Sequence, residues 1–153
     1  WSSISGAKVI AKNTLDAFVS LDPENKEYYQ ANYEQLTKEI GETEKTVSGL
    51  LHSLDNKTFI IYHPALTYYA RAYGIEQVAI EQDGKEPSAK RLVRLIEQAR
   101  RDSIRVVFYQ FPASAVEVIA EDIGAQSVRI DPLAEDVVGN ISYITDLITA
   151  ERL

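Results

Sequence analysis

The chain has 153 residues, 45% of them hydrophobic and 25% charged, which suits a globular domain with one well-buried core and is short for two. Its formal net charge of −7 argues against nucleic acid as a partner, because phosphate binding needs a concentrated basic face. There is no cysteine, so a disulfide framework and a thiolate metal site are both excluded. No run approaches the roughly 18 apolar residues that a membrane-spanning helix needs, and no signal peptide is visible.

The spacing of Ile4, Ala7, Ile10, Ala11, Leu15 and Phe18 predicts a helix over Ser2 to Ser20. Leu21-Asp22-Pro23-Glu24-Asn25 then stops one helix and starts another, with Asp22 suited to the N-cap and Pro23 to the first helical position. This second helix is expected to reach about Leu54, with Gly41 and Gly49 as points where it can bend. Beyond Asn56 the pattern alternates. Strands are expected at Thr58–Tyr62, Gln77–Ile80, Arg105–Tyr109 and Gln126–Ile130. Helices are expected at Leu66–Tyr73, Ser88–Asp102, Ala113–Ile123 and Asn140–Arg152, with Gly74 and Gly124 closing two of them. Such alternation predicts an α/β fold, a four-stranded and mainly parallel sheet flanked by helices and preceded by a long helix partly detached from the core. The densest basic cluster, Lys90, Arg91, Arg94, Arg100 and Arg101, shares its helix with Glu97 and Asp102 and reads as a solvated face.

In an open parallel sheet, ligands bind outside the carboxyl ends of the strands. The residues expected there are His63, Glu81, Gln110 and Asp131. His63 ends a buried apolar strand just before Pro64, and Asp131 ends another just before Pro132. An imidazole and a carboxylate brought to one sheet edge look like half of a metal site; both suit zinc, and a second carboxylate would shift the preference toward harder metals. Plain structural roles compete, since His63 can cap the next helix and Asp131 can serve as an N-cap. No glycine-rich loop follows the first strand and no Gly-x-Ser-x-Gly elbow occurs, so dinucleotide, P-loop and serine-nucleophile chemistry find no support. Tyr62, Tyr68, Tyr69 and Tyr73 read as core and pocket wall, and His52 as a partly exposed helix residue.

Four stretches carry a resemblance that runs along the whole chain. They are Leu21 to Asn32, His63-Pro64-Ala65 with Tyr68 and Tyr73-Gly74, Glu86-Pro87-Ser88, and Asp131-Pro132-Leu133-Ala134. Together they resemble the metal-binding solute receptors of zinc/manganese ABC transporters, the periplasmic or lipoprotein family that includes zinc-uptake receptors and adhesins. The resemblance implies one lobe of a two-lobed receptor. Residues 1–20 would be an inter-lobe linker helix and 21–153 the C-terminal α/β lobe, with the N-terminal lobe lying before Trp1. Trp1 would close an Asp-x-His-x-Trp stretch whose histidine is a further ligand. His63 and Asp131 would be the metal ligands of this lobe, with Glu81 and Gln110 behind them. Gln110 stands where many relatives have Glu, which removes a charge beside the site.

The function implied is extracytoplasmic capture of a divalent metal for an ABC permease. His63 favours zinc, with manganese as the second choice, and a single lobe would bind either weakly. Two rival classes remain at this level, a metal-binding surface adhesin and a metal-dependent hydrolase or chelatase using the same His and Asp.

Overall fold

The computed structural model describes residues 2–149. The inference drawn from Trp1 and the end of the helix expected to reach Arg152 lie outside the described residues. Six helices and four strands follow in order: α1 Ile4–Leu21, a 3-10 turn Pro23–Asn25, α2 Lys26–His52, β1 Thr58–Ile61, α3 Thr67–Tyr73, β2 Glu76–Ala79, α4 Ala89–Arg101, β3 Val106–Tyr109, α5 Ser114–Ile123, β4 Gln126–Arg129 and α6 Val137–Thr149. All strand pairs are parallel, in the order β2-β1-β3-β4. This is the sheet the sequence predicts.

Both faces of the central strands are covered, and the strand period sorts their side chains. Phe59, Ile61, Val106 and Phe108 pack with Ile40, Val47 and Leu51 of α2, Tyr69 of α3, and Ile141, Ile144 and Ile148 of α6. Ile60, Tyr62 and Val107 turn the other way, onto Leu95 and Ala99 of α4 and Val116, Ile119 and Ala120 of α5. Alternate residues of a strand face opposite sides, so one short apolar run feeds two cores.

The chain reverses direction across this sheet. From β1 it steps outward through α3 to β2, then returns through α4 on the opposite face to β3 and continues to β4. The crevice between β1 and β3 is therefore the topological switch point, the place where such sheets bind ligands.

Several expectations need correction. Ile4 was expected on an exposed face of the first helix with Ile10 and Phe18, yet it is buried with Ser2 and Ser3 because the start of α1 is rooted in the core. Ile10 and Phe18 are indeed exposed, at 52% and 49%. Asp22 does not cap a helix with its side chain; its carboxylate accepts from Asn25 Nδ2 at 2.8 Å and Tyr29 Oη at 2.7 Å instead. These bonds hold its pKa below the usual carboxylate value. Tyr68 is exposed, unlike Tyr62 and Tyr69. Finally, α6 starts at Val137, three residues before the expected Asn140, because Asp136 accepts from Gly139 N at 2.8 Å and caps the helix there.

Candidate metal centre

The four candidate residues follow the four strands and occupy one edge of the sheet. His63 leaves β1 at the switch point, where Tyr62 N still donates to Phe108 O at 2.8 Å. On the β2 side the ladder runs further, with Ile80 N donating to Ile61 O at 2.9 Å and Glu81 N to Tyr62 O at 3.2 Å. That continuation delivers Glu81 beside the imidazole. His63 Nδ1 lies 2.6 Å from Glu81 Oε1, with the His63 side chain 53% exposed and Glu81 only 9%. A buried carboxylate on Nδ1 favours the tautomer with its proton on that nitrogen and the lone pair on Nε2, the arrangement common behind histidine ligands. Glu81 therefore stands behind His63.

Gln110, at the end of β3, reaches back to the same residue. Its Oε1 accepts from His63 N at 3.2 Å and its Nε2 donates to His63 O at 3.0 Å. Arg129, the last residue of β4, donates from Nε to Gln110 O at 3.3 Å. Asp131 lies two residues further along the chain and is exposed. Its Oδ1 accepts from Leu133 N at 2.9 Å, and its main-chain oxygen accepts from Asn140 Nδ2 at 2.9 Å. Asp131 therefore caps no helix, because α6 begins only at Val137; its Oδ1 holds a turn at Leu133 instead. Oδ2 has no protein partner among the described residues.

The structure thus brings His63, Glu81 and Gln110 together in direct contact. It sets Asp131 on the same edge, with β3 between β4 and β1. Where both are paired with β3, the β1 and β4 backbones run about 10 Å apart. Among the described residues no group of three or more His, Asp or Glu side chains converges as a complete metal cage. His52 is exposed at the last position of α2.

Sequence reasoning missed two contributors, Asn140 and Arg129, whereas Tyr62 is the wall that it reads as. Tyr62 donates to Glu86 Oε1 at 2.9 Å and packs edge-on against Phe111, with ring centroids 5.2 Å apart, so it walls the edge beside His63. Asn140 and Arg129 brace the Asp131 backbone and Gln110. Nothing in their spacing signals this, because each acts across strands that only the fold makes neighbours.

Comparison with known proteins follows from this geometry. The family described as the periplasmic component A of zinc-uptake complexes, ZnuA, matches residues 1–149. The chain belongs to the ZnuA family. The ZnuA of Bacillus subtilis, a high-affinity zinc uptake system protein, is 31% identical over 137 residues, which are 87% of this chain and 43% of that protein. A ZnuA crystal structure shares 33% identity with a TM-score of 0.94, covering 100% of this chain and 61% of that one. A zinc-bound ZnuA deletion mutant is also 33% identical, with a TM-score of 0.90, 99% of this chain and 59% of that one being covered. The chain therefore spans less than two thirds of the ZnuA proteins it matches.

Proposed function

We infer that this chain is the C-terminal lobe of an extracytoplasmic receptor that captures zinc and hands it to an ABC permease. The observation that carries the reading is the His63–Glu81 pair at the switch point of a ZnuA-family sheet. Nδ1 is held by a buried carboxylate, and the imidazole side chain is 53% exposed. Asp131, with one oxygen unspent, supplies the second ligand from this lobe. Imidazole beside a single carboxylate suits zinc better than manganese. A closed zinc site takes about four ligands, so the remaining two come from a second lobe, and the ion itself bridges the cleft. Function here is capture and release; no covalent bond is made or broken.

The hairpin of α1 and α2 fits the same reading. Only Ile4 of α1 is buried, and the buried residues of α2 are Ile40, Val47 and Leu51, all in its second half. The far half of the hairpin therefore extends beyond the core, and it is the surface we assign to contact with the other lobe.

The test is zinc affinity of the two-lobed receptor after His63→Ala and Asp131→Ala. Each should weaken binding by at least tenfold, with the thermal midpoint of the zinc-free protein little changed. Affinity unaltered by both substitutions would remove the site from this edge.

A further inference from the structure

We propose that Gln110 is the positioning residue of this centre, an amide clamp that fixes the His63 backbone where β1 leaves the sheet. The proposal rests on the zinc reading above and goes beyond it, since it concerns how the ligand is held instead of which ligand is used.

The argument starts from what β1 loses at its end. Regular pairing of β1 with β3 covers Ile60 with Val107 and Ile61 with Phe108, and the last main-chain bond to β3 is from Tyr62 N. Past that point His63 turns away from the ladder, toward Pro64, and its peptide groups need other partners. Gln110 supplies them with its side chain. Oε1 takes the His63 N–H and Nε2 gives a hydrogen to the His63 carbonyl, whose other lone pair accepts from Ala65 N at 2.7 Å. Only a carboxamide can accept and donate at once in this geometry; a carboxylate offers acceptors alone. The neutral amide of Gln110 is therefore suited to this task.

Two neighbours complete the hold. Glu81, from the β2 side, fixes the ring through Nδ1. Gln110, from the β3 side, fixes the backbone. With both in place neither the main chain nor the ring of His63 is free to turn, so the direction of Nε2 is set before an ion arrives. Gln110 also accepts Arg129 Nε on its own carbonyl, two residues before Asp131. It is thus bonded through its side chain to the His63 peptide and through its main-chain oxygen to β4. Restraint of this kind matters to a ligand because metal geometry tolerates little displacement, and loss of groups behind a ligand typically costs 10- to 100-fold in affinity.

The experiment is Gln110→Met in the two-lobed receptor. Methionine keeps the length and most of the volume while removing both bonds. Zinc affinity is measured by competition with a chelating dye at a temperature where both proteins are fully folded, and amide hydrogen exchange at His63 is read in the zinc-free state. The expected result is a 10- to 100-fold weaker zinc affinity with markedly faster exchange at the His63 amide. Affinity within threefold of the parent protein would overturn the proposal, as would unchanged exchange at His63. His63→Ala serves as the control that separates the two claims. If it abolishes tight binding while Gln110→Met does not, the clamp fails and the zinc site stands. If neither changes affinity, the zinc reading itself is at fault.

Discussion

Two tyrosines one helical turn apart on α3 illustrate how local partners decide the worth of a buried hydroxyl. Tyr69 Oη lies 2.7 Å from Thr145 Oγ1, and the rings of Tyr69 and Tyr73 meet edge-on with centroids 5.2 Å apart. Tyr73 Oη is buried and has no hydrogen-bond partner among the described residues. At neutral pH Tyr69→Phe should cost about 1 kcal/mol, the net worth of a buried hydrogen bond, whereas Tyr73→Phe should be neutral or stabilising. Burial makes both hydroxyls weaker acids: it raises the pKa of Tyr69 far above the ordinary tyrosine value and that of Tyr73 to about 12, with Glu44 adding to the latter. The sign for stability follows. The neutral form is favoured in the folded state, so the contribution is complete below pH about 10 and is lost as pH rises through the folded-state values. Each Phe variant should therefore flatten the alkaline decline. Urea midpoints between pH 8 and 11 check this; a steeper decline in either variant would contradict it. The sequence marks these residues as apolar wall from helical spacing, but it has no means of telling which hydroxyl finds Thr145, 76 residues away.

At the scale of elements, the parallel sheet and its helices are legible because apolar runs bounded by glycine and proline leave few alternatives. Boundaries are less legible where side chains compete for backbone groups. Asp136 and Asn140 both precede or open α6 and both bond backbone groups, Asp136 to Gly139 N and Asn140 to the Asp131 carbonyl. Periodicity alone does not reveal which of them begins the helix. The glycines give a clear contrast. A Cβ at Gly139 would lie 2.2 Å from Asp136 Oδ2, while Gly41 and Gly49 in α2 have open space around theirs. Gly139→Ala should displace the cap and cost about 1 kcal/mol or more. Gly41→Ala and Gly49→Ala should each stabilise by about 0.5–1 kcal/mol, as alanine lowers the entropy lost on forming a helix. Thermal unfolding of the three variants separates these outcomes, and equal effects at all three positions would show that the cap is irrelevant.

At the scale of the whole molecule, the convergence of His63 and Asp131 on one edge depends on strand order. No local spacing links residues that far apart in sequence. What the sequence contains is two strand ends that each place a ligand-type residue before a proline, and the strand order then sets both on one side. The α1–α2 hairpin is the other large-scale feature. A groove of about 600 Å³ runs along the two helices and the segment that opens α6, walled by Ile10, Leu15, Phe18, Tyr29, Leu36 and Val138, and Leu21 at the tip of the hairpin is 83% exposed. Apolar surface of this extent seeks a cover. The chain by itself should self-associate through it, with Phe18→Asp shifting the sedimentation profile toward monomer. A profile unmoved by that substitution would place the contact elsewhere.

The central claim is that this chain carries half of a zinc site, and a calorimetric zinc titration of the 153-residue chain carrying Phe18→Asp, with its monomeric state verified by sedimentation, addresses it most directly. With His63 and Asp131 as its only ligands, the chain should bind zinc far more weakly than a four-ligand site. His63→Ala should abolish the weak heat that remains. Tight one-to-one zinc binding by the monomer, or binding that survives His63→Ala, would contradict the account.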